Sequence, residues 1–522
     1  MPTAAELPIN TSASADAMAE AIFGNGIEII SAIYTGNDAA SGIYSSGDSV
    51  APGVTPSDTG VILSTGKATD ITNSSGDVNT ASGRSTNHGE SGDADLQAIA
   101  GVNTYDAAVF EAEFVPDGST LTMQFVFSSE EYLEYVNAGF NDAVGVWVNG
   151  EQAELVIGDG NISIDNINTE SNENLYIDNP RDEDNYNTEM DGFTMTLTLK
   201  APVNPGEVNT IKIGIADGGD GAYDSNLLIA GDSVQTALVA GDDVVQIDGD
   251  TIEDVDVLAN DSSAGGGGLT ITHINGQPVS AGDTITLPTG EEITLNADGT
   301  FDIFNDTEEE ETNTFSYTVA DEAGNTDTGF VKVKTVPCFV AGTLIGTPDG
   351  PVPVEDLEPG MMVLTRDRGP QPLRWAGRSR RRAEGRHAPV VFEAGALGDH
   401  GRIALSPNHR VLISSDRAEL LFGQPEVLVK AAHLVNDGSI RVQADGAEVT
   451  YVHLLFDRHE IVTGNGLESE SYHPGRETID SFDEATRAEI MDLMDGADAA
   501  QGYGPAARPS LRAHEARVLL QH

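Results

Sequence analysis

One thiol and three imidazoles stand where they could break a peptide bond. Cys338 is the only cysteine among 522 residues, and it opens Cys338-Phe339-Val340-Ala341-Gly342-Thr343-Leu344-Ile345. A lone cysteine excludes an internal disulfide framework and leaves a thiol that is buried, reactive or intermolecular. Such a thiol can attack the carbonyl just before it. Here that is the C=O of Pro337, and an N-to-S acyl shift would turn the amide into a thioester. Thiol and target are neighbours in the chain, so effective molarities of roughly 10⁵–10⁸ M come within reach when the geometry is right. The departing nitrogen needs a proton, and His409 is the candidate donor. Ser406, three residues earlier, can orient the scissile peptide by hydrogen bonding. The base that takes the Cys338 proton is Asp457, His453 or His459; the residues leave that choice open. Each has a plainer role as well. Cys338 could be a small buried hydrophobe, His409 a satisfied core histidine, and Asp457-Arg458-His459 an ion-paired strand end.

A second constellation consists of oxygens. Glu130, Glu131, Asn141 and Asp142, and later Asp217, Asp220 and Asp224, could supply ligands to Ca²⁺, which favours carboxylate and carbonyl oxygens. The same residue types are what tight turns require without any metal. The thiol chemistry itself requires no cofactor, so Ca²⁺ is the one candidate. No phosphate loop, Cys/His zinc spacing or Gly-x-Ser-x-Gly elbow occurs.

Charge divides the chain at the same cysteine. Of 26 Lys and Arg, 7 precede Cys338; of 85 Asp and Glu, 58 do. Nine of the 11 histidines follow it. So anionic an N-terminal part would repel nucleic acid and anionic lipid. The basic run Arg374, Arg378, Arg380, Arg381, Arg382 and Arg386 is read as a solvated loop offsetting that charge. No stretch approaches the roughly 18 apolar residues of a spanning helix, and the first residues lack the basic start and apolar run of a cleavable signal.

The elements that must position these groups are mostly strands. Residues 16–35 read as a short helix followed by a strand. Val109–Val115, Leu121–Phe127, Phe193–Leu199 and Thr210–Ala216 alternate apolar and polar residues, and Val144–Val148 runs into an Asn149-Gly150 hairpin turn. Short alternating strands between turns predict a β-sandwich. Some seven short strands over about residues 235–336 predict a second, Ig-like sandwich. After Cys338 the pattern is again β, with helical spacing over 479–494 and 511–520.

Three resemblances follow. Phe127-Ser128-Ser129-Glu130-Glu131-Tyr132-Leu133-Glu134-Tyr135-Val136, with Gly60–Gly66 and Asp217–Ser225, resembles the bacterial choice-of-anchor L domain. Asp256-Val257-Leu258-Ala259-Asn260-Asp261, followed by the Gly299-Thr300-Phe301 and Thr318-Val319-Ala320-Asp321 strands, resembles the Ig- or cadherin-like repeats of bacterial surface proteins. The Cys338 block, Leu405-Ser406-Pro407-Asn408-His409 and the late Tyr451–Val462 block together resemble a bacterial Hint (Hedgehog/intein) domain. The expected chain is mainly β. It has an anchor-like domain over 1–232, an Ig/cadherin-like repeat over 233–336 and a Hint domain over 337–522.

These resemblances imply a secreted or surface protein, exported by a route independent of a signal peptide, that cleaves itself at Pro337–Cys338. Ser406 stands where the Hint family often has Thr, which keeps the hydroxyl. Intein splicing needs a terminal His-Asn pair, which this sequence lacks, so cleavage or transfer is expected rather than splicing. The acceptor of the thioester would be water, a thiol or an amine, and partners would be cell-surface or matrix components. The alternative is a Ca²⁺-stabilised adhesin whose Hint domain does not process.

Overall fold

In the computed structural model, residues 2–81, 83–136, 138, 142–153, 162–169, 171–181, 185–247, 251–304, 313–335, 338–383, 388–436, 438–472, 506–511 and 513–520 are described. The architecture is mainly β, as the alternating patterns predict. None of the described helices is long and apolar enough to cross a membrane.

The first unit is a sandwich. One sheet runs Ile27–Thr35, Thr104–Pro116, Asn209–Gly218, Ala143–Val148, Glu151–Gln152. The other runs Ile9–Asn10, Ser41–Tyr44, Gly60–Ser64, Ser225–Ala230, Thr120–Ser129, Gly192–Thr194, Tyr176–Asp178, with Leu197–Pro202 also paired to Thr120–Ser129. The period of two sends Phe110, Ala112 and Phe114 inward and leaves Glu111 and Glu113 in water. They meet Phe125, Phe127, Ile213, Ile215 and Leu227 in one core. Helix Ala15–Ile22 covers an edge of that core with Met18, Ala19 and Ile22; its N-terminus is capped by Ser14, whose hydroxyl accepts from Ala17 N–H. Asn149 and Gly150 take φ of 55° and 81°, the left-handed pair that a two-residue hairpin needs.

The second unit packs a five-stranded sheet (Asp243–Ile247, Thr326–Thr335, Asn313–Ala320, Thr270–Ile274, Gln277–Pro278) on a four-stranded one (Thr251–Val255, Phe301–Phe304, Glu292–Leu295, Thr284–Thr286). Phe301, Phe315, Tyr317 and Val319 fill the space between. This unit is docked on the first. Phe330, on one of its strands, is buried in the first unit's core. Gln235 Nε2 donates to Thr326 O at 2.8 Å. Asn275 Nδ2 donates to Asn174 O at 3.0 Å.

The third unit has a six-stranded sheet ordered Trp375–Arg382, Glu448–Leu455, Phe339–Val340, Ile403–Leu405, Val390–Phe392, Ile440–Val442. Against it lies a second sheet with Leu344–Ile345, Ile461–Gly464, Leu467–Glu470, Arg410–Ser414 and Glu426–Lys430 along its main path. Phe339, Leu405, Val411, Val429, Val452, Leu454 and Val462 form the shared core. Helix Ala513–Leu520 is present and buries Ala516 against that core. The helix expected over 479–494 lies outside the described residues. Most of the basic run is not a loop: Arg378, Arg380, Arg381 and Arg382 lie on Trp375–Arg382, an edge strand paired to Glu448–Leu455, with Arg374 just before it, while Arg386 lies outside the described residues. Charge on an edge strand discourages pairing with a further chain, which accounts for arginines in a β-strand.

Candidate functional site

Register assembles the site. Phe339 pairs with Leu405 on one side and with Val452 on the other, both antiparallel. The residue before Phe339 therefore sits beside the residue after each partner. That brings Cys338, Ser406 and His453 together from positions 68 and 115 residues apart. Cys338 N–H donates to Ser406 Oγ at 3.0 Å, and Ser406 N–H donates to Cys338 O at 3.0 Å. Cys338 is thus pinned at both its backbone nitrogen and its carbonyl by one serine. Cys338 Sγ lies 3.5 Å from His453 Nδ1. The imidazole of His453 is itself braced by Trp375, stacked at 6.4 Å, and Tyr472 at 6.3 Å.

Ser406 and His409 sit on a tight turn, closed by His409 N–H donating to Ser406 O at 3.1 Å. The His409 ring stands edge-on to Phe339 at 4.4 Å and is buried at 1% exposure. Burial pushes its pKa down to about 4, with the positive field of Arg410 and the neighbouring His453 adding to the lowering. The Glu470 charge and the Cys338 backbone pull the other way without winning. His409 is therefore neutral at rest. Cys338 is fully buried among Ala383, Val449 and Tyr451, so the thiol is screened from bulk solvent.

The two other candidates for the base lie elsewhere. Asp457 is 47% exposed in its side chain and held by Arg374, Nε to Oδ1 at 2.7 Å and Nη2 to Oδ2 at 2.8 Å. His459 is buried, but its Nδ1 accepts from Ala507 N–H at 3.0 Å and its Nε2 faces Glu470 Oε2 at 3.4 Å. Of the three, the structure brings only His453 within contact distance of the thiol.

Glu470 escaped the sequence reading. It is 1% exposed, accepts from Arg410 N–H at 2.9 Å, and has Arg410 Nη1 at 3.5 Å and His459 alongside. Burial alone would raise its pKa; Arg410 and His459 outweigh that and hold it at about 2. Nothing in Leu467-Glu468-Ser469-Glu470 marks the second glutamate as inward, because Glu468 on the same face reaches solvent and pairs with Arg366.

The oxygen constellation lies at one end of the first sandwich. Glu130, Glu131, Asp142, Asp217 and Asp224 are all buried, at 1–3% exposure. Asp220 is exposed and accepts from Ala222 N–H at 3.1 Å, as a turn residue does. Asn141 lies outside the described residues. Among the described residues no three His, Cys, Asp or Glu side chains already surround one metal position.

Comparison with known proteins adds the following. The Hint domain family model matches residues 337–476, the Choice-of-anchor L domain matches 8–235 and the Bacterial Ig domain matches 235–334. No curated protein matches the chain. Among solved structures, the MchDnaB-1 intein and its N145AA form are similar at 15% identity and TM-score 0.18, over 26% of this chain and 99% of theirs. A Bacteroides ovatus mixed-linkage glucan utilization locus protein, in complex with a heptasaccharide, is similar at 11% identity and TM-score 0.12, over 63% of this chain and 88% of its own.

Proposed function

Given a chain that carries a choice-of-anchor L domain, a bacterial Ig domain and a Hint domain in that order, we propose that it is a bacterial surface or secreted protein that cleaves itself at Pro337–Cys338. The observation that carries this reading is the placement of one backbone nitrogen and one sulfur. Cys338 N–H bonds Ser406 Oγ while Cys338 Sγ meets His453 Nδ1.

The step balances as follows. His453 takes the Cys338 thiol proton, and the thiolate attacks the Pro337 carbonyl carbon. The C–N bond between Pro337 and Cys338 then breaks, and the Cys338 nitrogen gains a proton from the His409 side. A thioester joins Pro337 C=O to Cys338 Sγ, leaving Cys338 with a free amine. The proton lost by sulfur and the proton gained by nitrogen cancel, so no net proton is consumed. Ser406 anchors the nitrogen of that amide through its bond to Cys338 N–H, the preorganisation such intramolecular steps depend on. Neutral His409 keeps one N–H to donate and one nitrogen to be refilled, which suits a relay better than a standing positive charge. Water, a thiol or an amine then attacks the thioester, releases residues 1–337 and restores the Cys338 thiol. Capture by an amine would fix the anchor and Ig domains to a target.

The test is intact mass of the full chain over time, with and without dithiothreitol, beside Cys338→Ala. Fragments of residues 1–337 and 338–522 from the parent alone support the reading. A folded parent that stays intact under thiol overturns it and leaves a non-processing Hint domain.

A further inference from the structure

The end of the anchor-like sandwich where Thr120–Ser129 and Asn209–Gly218 finish and Ala143–Val148 and Ser225–Ala230 begin gathers buried carboxylates that the proposed cleavage does not use. Pairing explains the gathering. Ala216 opposite Ala143 puts Asp217 beside Asp142 on adjacent strands. Ser225 opposite Ser129 puts Asp224 beside Glu130, and Glu130 N–H donates to Asp224 O at 3.3 Å.

Backbone amides hold one oxygen of several of these groups. Gly218 N–H donates to Asp142 Oδ1 at 2.9 Å, Gly83 N–H to Glu130 Oε2 at 3.0 Å and Thr86 N–H to Asp224 Oδ1 at 2.7 Å. The opposite oxygens of these three, Asp142 Oδ2, Glu130 Oε1 and Asp224 Oδ2, are buried without a well-formed hydrogen bond, as are Asp217 Oδ1 and Glu131 Oε2, although the Ser225 hydroxyl faces Asp142 and the Thr65 hydroxyl faces Asp217. Asp142 and Asp217 are 1% and 2% exposed. Arg84 feels the Glu130 charge, but its guanidinium is committed to Glu189 at 2.7 Å. A buried anionic oxygen without a partner is among the costliest things a fold can hold, and the usual remedies are a paired cation or a metal.

We propose that Asp142 and Asp217, with Glu131 beside them, bind a divalent cation of the calcium type. Calcium fits because all the free donors are oxygens and because its flexible shell of 6–8 ligands accepts carboxylates from irregular loops. Magnesium holds its waters and demands a near-ideal octahedron, which a closed site of this kind does not offer. The carboxylates do not yet surround one point, so binding draws them inward and ties the two sheets together at that end. The site belongs to the N-terminal unit alone and does not depend on cleavage at Cys338.

The experiment uses the full chain in the Cys338→Ala background, stripped with EGTA. Equilibrium dialysis with calcium chloride in 0.15 M salt, which screens the acidic surface, reads stoichiometry, and a thermal melt reads stabilisation. The expected result is one tight site and a rise in the N-terminal melting transition that magnesium chloride does not reproduce. Asp142→Asn with Asp217→Asn should lose that one equivalent, whereas Glu111→Gln, on the solvent face of the sheet, keeps it. Glu131→Gln, a milder change, should weaken binding by tenfold or more and guards against a variant that fails to fold. Absence of a stoichiometric site in the parent, or its survival in both the double variant and Glu131→Gln, overturns the proposal.

Discussion

Cys338 Sγ and His453 Nδ1 lie 3.5 Å apart, although 115 residues separate them. The contact follows from one residue, Phe339, pairing on both of its edges. It distinguishes three residues that the sequence left equivalent, and so it makes the first prediction.

His453→Ala should slow cleavage by about a hundredfold or more, the usual range for removing a general base being 10²–10⁴. Asp457→Ala should leave the rate unchanged, because Asp457 is exposed and bound to Arg374. Quantifying the 338–522 fragment by intact mass compares the two. Equal rates for His453→Ala and parent would remove His453 from the mechanism.

Ser406 holds the Cys338 nitrogen through a single hydroxyl. Losing one such hydrogen bond costs about 1 kcal/mol, which is roughly a fivefold drop in rate. Ser406→Ala should show that drop, and Ser406→Thr, which keeps the hydroxyl, should retain most of the parent rate. The same fragment assay reads both.

Acid should weaken the Hint unit. His409 has a folded pKa of about 4 against an ordinary 6.5. Between those values the unfolded chain binds more protons, so stability falls as pH falls from 6.5 to 4 and is unaffected above 6.5. The slope for one such group is about 1.4 kcal/mol per pH unit. Glu470, at about 2 against 4.5, adds a second loss between pH 4.5 and 2. Denaturant melts at pH 7, 5.5 and 4.5 in the Cys338→Ala background should show the first loss. His409→Gln should flatten it; an unchanged slope would mean another group titrates.

Glu470→Gln should destabilise the same unit by about 3 kcal/mol, because it leaves Arg410 and His459 facing a neutral amide in a buried site. A shift of under 1 kcal/mol in the denaturant midpoint would show that the pair is dispensable.

Phe330 binds the Ig unit to the anchor unit by sitting in the latter's core. Phe330→Ala should cost about 3–5 kcal/mol, and the melting transitions of both units should move together. Movement of the Ig transition alone would mean that the two units fold independently.

The strand around Val109–Val115 was legible in the sequence because period-two burial writes itself into residue type, whereas the expected strand Phe193–Leu199 is broken into Gly192–Thr194 and Leu197–Pro202. Phe110 and Phe114 inward with Glu111 and Glu113 outward is one such record. The Asn149-Gly150 turn was legible for a similar local reason, since few residues accept two successive positive φ angles. Other features left no local trace. Arg378, Arg380 and Arg382 resembled a loop because edge strands tolerate charge that central strands do not. Phe330 resembled any inward residue of its own sandwich, and only docking placed it in the neighbour's core.

The sequence by itself determined the inventory of candidate groups: one thiol, its adjacent carbonyl, the Ser406–His409 spacing and a set of acidic turns. Tertiary structure decided which groups meet. It put His453 against the thiol, gave Asp457 to Arg374, gave His459 to Glu470, and buried Asp142 and Asp217 side by side. The reason is that strand register is a relation between distant segments, settled by how whole sheets pack, and no stretch read alone contains its partner.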